Sequence, residues 1–248
     1  MVYLGKNFSM EVDLFIPCFI DQLYPKTAWN TIRVLERAGC KVHYNPEQTC
    51  CGQPAYNSGY FDEARTLARK FLKDFRGKRP MVSPGASCSG YVRDGFADLF
   101  DETSGEYQEY IHRKENVIEL TDFLVNHLGV VDFGASFPHK VTYHDACSAL
   151  RGYGIREEPR KLLQNVDGLE LIEMEETHEC CGFGGTFAVK HKAISSVMTQ
   201  NKVENALKTG AEFIVSTEAS CLMNISGYIK RQKLPVKVLH IADVLAAF

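Results

Sequence analysis

The sequence predicts an α/β protein built from two similar halves, each with its own parallel β-sheet. Three observations lead to this expectation. Short apolar runs alternate with amphipathic helical patterns along the chain, an order typical of parallel sheets covered by helices. The cysteine spacing of the first half recurs in the second half, with offsets of 129 to 133 residues. The residues beside these cysteines recur as well.

Each half contains a single cysteine, then a Cys-Cys-Gly triplet, then one further cysteine. The gaps between these positions are 31 and 36 residues in the first half and 32 and 39 in the second. The segment VSxxASC occurs at residues 82–88 and again at 215–221, which indicates an internal duplication. The repeated cysteines are Cys18, Cys50, Cys51 and Cys88 in the first half and Cys147, Cys180, Cys181 and Cys221 in the second.

The apolar patterns place four strands and four helices in each half. The predicted strands are residues 12–17, 41–44, 81–83 and 116–120, then 140–144, 169–174, 213–217 and 236–241. The predicted helices are residues 26–38, 57–75, 88–100 and 121–128, then 158–165, 186–207, 221–231 and a terminal helix. The polar stretch 101–116 is predicted as an inserted loop. We therefore expect two Rossmann-like three-layer domains, residues 1–130 and 138–248, related by pseudo-twofold symmetry.

All eight repeated cysteines lie where a predicted strand gives way to a turn or helix. The carboxyl edge of a parallel sheet is where open α/β folds bind ligands. Helix N-termini at that edge carry partial positive charge, which stabilises thiolates. Gly182, Gly184 and Gly185 are expected to let the backbone approach a bulky cofactor. We therefore expect the cysteine sites at two facing sheet edges.

Composition and charge exclude several classes of protein. The chain has 45% hydrophobic residues, and 28 basic against 31 acidic residues give a net charge of −3. A polycationic surface for nucleic acid is therefore not expected. No apolar run approaches the roughly 20 residues of a membrane span, and residues 1–17 lack a signal-peptide pattern. We expect a cytoplasmic protein, in which clustered cysteines bind metal or perform redox chemistry.

Clusters of soft thiolates select zinc, copper(I) or iron–sulfur groups. Neither half contains the C-x₂₋₄-C knuckle common in zinc sites. Two adjacent cysteines also suit a cluster with several irons better than a single tetrahedral ion. An iron–sulfur site is the preferred interpretation. A structural zinc site or a thiol switch in a binding or regulatory module is the alternative.

Several long motifs carry a family resemblance. They are FIPCFIDQLYP at 15–25, QTCCGQP at 48–54, YHDxC at 143–147, ECCGFGGTF at 179–187 and ASCLMN at 219–224. The chain resembles the cysteine-rich CCG-domain family, found in heterodisulfide reductases, in the iron–sulfur subunit of glycolate oxidase and in proteins of bacterial L-lactate utilization. The resemblance implies an iron–sulfur, electron-transfer subunit of a cytosolic oxidoreductase complex that oxidises L-lactate to pyruvate. It also implies one or two clusters on the eight cysteines, with other subunits and a redox partner.

The chain departs from the full family pattern, which ends in C-x-x-C. Tyr91 and Asn224 stand where the last cysteine of each half is expected. The resemblance implies a noncubane 4Fe-4S cluster on five cysteines, which four per half do not supply. Each half could hold a four-cysteine cluster, a cluster with a non-cysteine ligand, or one with an open iron. Tyr91 and Asn224 are candidates for closing the site, for donating hydrogen bonds to it, or for simple packing.

Other residues are weaker candidates. His144 and Asp145, beside Cys147, are candidates for a proton donor or a hydrogen-bond partner of the cluster, and a structural hydrogen bond is the alternative. His178 is a candidate metal ligand, and Cys40 is expected to be a buried apolar residue. The dinucleotide, P-loop, nucleophile-elbow and HExxH motifs are absent from the sequence. We therefore expect neither a common nucleotide site nor hydrolase chemistry, and partners are needed for lactate oxidation.

Overall fold

Two four-stranded parallel sheets organise the protein in a computed structural model that describes residues 10–248. The first-half strands are β1 (Met10–Leu14), β2 (Cys40–Tyr44), β3 (Met81–Ser83) and β4 (Val117–Glu119). The second-half strands are β5 (Lys140–Tyr143), β6 (Glu170–Leu171), β7 (Phe213–Ser216) and β8 (Lys237–His240). The strand orders are β2-β1-β3-β4 and β6-β5-β7-β8. The predicted α/β fold with two equivalent parallel sheets is confirmed.

Helices connect the strands in both halves. The first half contains α1 (Cys18–Leu23), α2 (Pro25–Arg37), α3 (Gln53–Asn57), α4 (Phe61–Asp74), α5 (Ala86–Asp94), α6 (Gly105–Ile111) and α7 (Leu120–Asp122). The second half contains α8 (Glu157–Gln164), α9 (Thr186–Lys190), α10 (Lys192–Lys208), α11 (Ala219–Gln232) and α12 (Ile241–Leu245). Short 3₁₀ segments are Gly95–Leu99 and Lys114–Asn116, and π-helical turns are Phe123–His127 and Ser148–Tyr153.

The predicted loop at 101–116 is wrong, because this stretch contains α6. Ser104 caps the helix by accepting a hydrogen bond from the backbone N–H of Tyr107 at 3.1 Å. Tyr110 is almost fully buried, and its ring lies 6.2 Å from that of Phe96. The polar composition of the stretch concealed this helix, because the burial of Tyr110 against Phe96 is a tertiary contact.

Other predicted elements change their bounds. The helix predicted at 186–207 is broken at His191, where the backbone leaves helical geometry with φ −123° and ψ 52°. The helix predicted at 57–75 is shorter, because the chain turns between α3 and α4. The strand predicted at 169–174 pairs only at residues 170–171, at the edge of the second sheet. The strand predicted at 12–17 pairs as Met10–Leu14.

The two halves share one hydrophobic core in addition to a core of their own. Helices α2 and α12 pack together in the shared core. Thr27 Oγ1 and Asn30 Nδ2 donate hydrogen bonds of 2.9 and 2.8 Å to the carboxylate of Asp243. The two halves are thus joined through this shared core, although their sheets are separate. The predicted domain boundaries at residues 130 and 138 stay a prediction.

Nothing within residues 10–248 forms a helix of the length and apolarity that crossing a membrane requires. The expectation of no signal peptide concerns residues 1–17, of which the first nine lie outside the described residues.

The strand order reverses between β1 and β3 and again between β5 and β7. In open α/β sheets, ligands bind outside the carboxyl ends of the strands at such a reversal. Cys18 and Cys88 follow β1 and β3, and Cys147 and Cys221 follow β5 and β7. These four cysteines therefore follow the strands at which the sheet topology predicts ligand binding.

Candidate metal centre

All eight repeated cysteines line a single cavity of about 550 Å³ between the two halves. Cys88 and Cys221 occupy the first turns of α5 and α11, at equivalent places in the two halves. Cys18 begins α1, and Cys147 immediately precedes the second π-helical turn. The structure thus brings together every cysteine that the repeat predicts as a ligand. Their role as ligands stays a prediction.

The first-half thiols lie in two close pairs. The Sγ atoms of Cys18 and Cys50 are 3.6 Å apart, and those of Cys51 and Cys88 are 3.4 Å apart. A disulfide has an S–S length of about 2.05 Å, so both pairs are free thiols. Cys50 and Cys51 both face the cavity although they are consecutive. This arrangement offers four sulfur donors to one bound group.

A glycine follows each cysteine pair in the left-handed region, with φ 92° at Gly52 and 84° at Gly182. The N–H groups of Gly52 and Gly182 donate to the sulfur atoms of Cys50 and Cys180, each at 3.4 Å. A Cβ on Gly182 would lie 2.6 Å from the carbonyl oxygen of Ser195. Gly182 therefore packs against α10, whereas Gly184 and Gly185 line the cavity, and the approach of this backbone to a cofactor stays a prediction.

Two thiols, Cys50 and Cys180, have lowered pKa values. Hydrogen bonds from Cys18 and Cys51 lower the pKa of Cys50 to about 3, and bonds from Cys147 and Cys181 lower that of Cys180 to about 2. The N–H groups of the following glycines act in the same direction. Each half thus holds one thiolate that is ready to bind a metal.

The thiols that donate these hydrogen bonds have raised pKa values. The pKa of Cys51 is raised by its contacts with Cys50 and Cys88 and by burial. The pKa of Cys181 is raised in the same way by Cys180 and Cys221. Four thiolates this close repel one another, so without a cation most of them keep their protons. A positively charged metal group would remove that repulsion.

His144 lies beside the second-half cysteines and is fully buried. A ring nitrogen of His144 and the Sγ atoms of Cys181 and Cys221 all lie within 4.8 Å of one another. Neither ring nitrogen has a hydrogen-bond partner. Burial, followed by the charge of Lys202, lowers the pKa of His144 to about 3. The imidazole is therefore neutral, the form that binds metals.

Tyr91 and Asn224, at the positions of the expected fifth cysteines, differ in what they do. Asn224 Nδ2 donates to the carbonyl oxygen of Cys181 at 3.0 Å and to Thr199 Oγ1 at 2.9 Å, which fastens the Cys-Cys-Gly turn to α10. Tyr91 is buried, and its hydroxyl has no partner. Burial and the nearby Cys51 raise the pKa of Tyr91, so it stays a neutral donor next to the first-half thiols.

Asp145 and His178 do not line the cavity. The carboxylate of Asp145 receives two hydrogen bonds from Arg160, at 2.9 and 2.8 Å, and forms a buried ion pair. His178 is more than half exposed and lies 3.4 Å from the carboxylate of Glu176. Cys40 is fully buried in the shared core and does not line the cavity.

Sequence reasoning missed Glu218, a buried carboxylate in the cavity wall. It stands where the first half has Gly85, within the matching VSxxASC segments. The replacement of a glycine by a charged residue within an otherwise matching repeat was the sequence signal for this site. Sequence reasoning also missed the contact of Phe19 with Phe183, whose rings lie 5.7 Å apart across the two halves.

Fold and site together define a duplicated parallel α/β protein with a cysteine-lined centre between its halves. The profile of the Cysteine-rich domain, CCG, matches residues 12–93 and 141–226. Several relatives are similar to this chain over nearly its whole length. "Lactate utilization protein A 2" of Bacillus cereus (strain AH820) is 39% identical over 237 residues, which cover 96% of this chain and 98% of the relative.

"Lactate utilization protein A" of Exiguobacterium sp. (strain ATCC BAA-1283 / AT1b) is 44% identical over 237 residues, covering 95% of this chain and 96% of the relative. The chain belongs to the lactate utilization protein A group of the cysteine-rich CCG-domain family. A hypothetical protein from Helicobacter pylori has a similar fold, with a TM-score of 0.61 at 12% identity, covering 96% of this chain and 48% of that chain.

Proposed function

We propose that the protein is the iron–sulfur subunit of a cytoplasmic oxidoreductase complex that oxidises L-lactate to pyruvate. The observation that carries the proposal is the convergence of eight cysteines on one cavity. The names of its relatives, which refer to lactate utilization, support the substrate.

The donor set suits an iron–sulfur group. Soft sulfur donors approach the cavity from both halves, and Cys50 and Cys180 are already thiolates. The first turns of α5 and α11 bring N–H groups and partial positive charge to Cys88 and Cys221. A bound cluster would supply one-electron transfer at a potential set by these ligands and hydrogen bonds. The buried hydroxyl of Tyr91 lies near Cys51 and Cys50 and has no hydrogen-bond partner of its own.

Partner subunits are part of the proposal, because the sequence lacks the common dinucleotide-binding motif. Another subunit is therefore needed to hold the cofactor that accepts the hydride of lactate. Three aliphatic side chains on α9 and α10 support a docking surface. Val189, Ile194 and Val197 are 69%, 56% and 56% exposed, and Val189 also lines the cavity. Exposed apolar groups beside a redox centre suit a protein that exchanges electrons there. We assign this surface, Val189 with Ile194 and Val197, to a partner subunit of the complex.

A zinc protein is the second candidate, and one observation favours it. The set of His144, Cys181 and Cys221 combines one nitrogen with two sulfur donors, which is a common donor set for zinc. In that case the protein would be a binding or regulatory module rather than an electron carrier.

Metal analysis of anaerobically purified protein tests the proposal. We expect a brown protein containing iron and acid-labile sulfide, with substitutions C50S and C180S each lowering both. Substitution C40A is the matched control, because Cys40 is a buried cysteine outside the cavity. A colourless protein with stoichiometric zinc and no sulfide would overturn the iron–sulfur function. Lactate-dependent dye reduction by the co-purified complex then tests the substrate.

A further inference from the structure

The two halves differ at a fully buried position near the cysteines where their backbone hydrogen bonds correspond. Phe15 and His144 each stand three residues before the first cysteine of their half. The Phe15 N–H donates to the Val82 carbonyl at 2.9 Å, and the His144 N–H donates to the Val215 carbonyl at 2.8 Å. The two side chains are therefore structurally equivalent, and only the second half has an imidazole there.

The environments of these two side chains also differ. The ring of Phe15 packs edge-on against Phe71 and Phe75, with centroids 5.0 and 5.8 Å away, as a core residue does. His144 is equally buried, yet both of its ring nitrogens lack a hydrogen-bond partner. Buried polar groups are nearly always satisfied, and an orphaned one calls for a water or an ion. An imidazole without any partner is a poor replacement for phenylalanine in a core.

The two charged side chains near His144, Asp145 and Lys202, are already engaged. The Asp145 carboxylate is held by Arg160 in two hydrogen bonds. The Lys202 ammonium donates to the backbone carbonyls of Glu176 and Thr177. The sulfur atoms of Cys181 and Cys221 can share a ligand with the imidazole, because these two atoms and a ring nitrogen all lie within 4.8 Å of one another.

We infer that His144 binds, through one ring nitrogen, the metal that the second-half cysteines hold. Under the proposed function, on which this inference rests, that metal is an iron of the cluster. The second half then has five donors, four thiolates and one imidazole, while the first half has four thiolates.

Pulsed EPR on the full-length protein, labelled with ¹⁵N at histidine and purified anaerobically, tests the inference. We expect the paramagnetic cluster to show ¹⁵N coupling in the wild-type protein and in H178Q, whose exposed histidine lies outside the cavity. The coupling should be lost in H144F, which introduces the residue of the first half, and in H144Q. Loss of at least tenfold in metal affinity of the second-half site should accompany it.

Two results would overturn the inference. One is an iron-loaded wild-type protein without ¹⁵N coupling, a measurement that requires no variant to fold. The other is coupling that persists in H144F. If the protein binds zinc instead of iron, the proposed function fails separately. In that case ¹⁵N NMR during addition of Zn²⁺ decides: a shift of one His144 ring nitrogen supports ligation, and an unchanged His144 spectrum overturns it.

Discussion

The carboxylate of Glu218, in the second half, accepts a hydrogen bond of 3.0 Å from the backbone N–H of Ser87, in the first half. Its other oxygen accepts one of 3.0 Å from Ser220 Oγ. Ser87 lies in the first turn of α5, directly before Cys88. The second half thus caps the helix that presents Cys88, a cysteine of the first half.

Substitution of Glu218 by alanine should lower the free energy of unfolding by about 1–2 kcal/mol, since a helix cap is lost in a buried place. Urea denaturation of the metal-free protein measures this. The control is E115A, because the Glu115 side chain is 77% exposed and lies 3.9 Å from the Lys114 ammonium. Equal effects of the two substitutions would contradict the capping role of Glu218.

Cys50 and Cys180 should be the thiols that iodoacetamide alkylates first in the metal-free protein at acidic pH. Their pKa values are lowered to about 3 and about 2, so at pH 5 both are thiolates while Cys51 and Cys181 keep their protons. Mass spectrometry of peptides after brief alkylation measures the order. Preferential labelling of Cys51 or Cys181 at pH 5 would count against this hydrogen-bond pattern.

Glu119 should make the metal-free protein less stable as the pH rises from about 5 to 8. Burial raises its pKa to about 8 from 4.5, so across this window the folded state holds a proton that the unfolded state has released. The free energy of unfolding therefore falls with increasing pH. Substitution E119Q should flatten this dependence in urea denaturation at several pH values, while E115Q, at an exposed glutamate, should not. Parallel curves for wild type and E119Q would refute the assignment.

Asp145 should stabilise the site beside Cys147 through its buried pair with Arg160. Substitution D145A should cost about 1–3 kcal/mol, because it removes the carboxylate that accepts two buried hydrogen bonds from Arg160, while Glu173 still pairs with the guanidinium. Burial alone would raise the pKa of Asp145, but Arg160 outweighs it and holds the pKa below the usual 3.8. This stabilisation is present above about pH 4 and is lost as the pH falls further. Thermal unfolding at pH 7 tests the cost, and a change below 1 kcal/mol would disprove it.

The aliphatic surface on α9 and α10 should be needed for assembly. The double substitution I194E/V197E should abolish co-purification of lactate-dependent dye-reducing activity without lowering the iron content of the chain. Substitution W29E is the control, since Trp29 is 67% exposed on the distant helix α2. Activity that co-purifies equally with both variants would show that the partner docks elsewhere.

The duplication and the positions of the cysteines were predictable from the sequence, because both follow from local patterns. Residues 81–83 were predicted as a strand and are β3, since a short apolar run between turn residues is a local signal. The helix α6 and the break at His191 were not predictable in this way. Helix α6 lies in a polar stretch whose composition indicates a loop, and its buried Tyr110 packs against Phe96 through a tertiary contact.

The sequence by itself determined the two-half α/β architecture and the eight cysteines at strand ends, since strand–helix alternation and repeated spacing belong to the chain. Only the tertiary structure decided that all eight line one cavity, that Glu218 caps the opposite half, and that Asp145 is engaged by Arg160 while His144 is left without a partner. The physical reason is that burial and hydrogen-bond satisfaction arise between residues far apart in sequence.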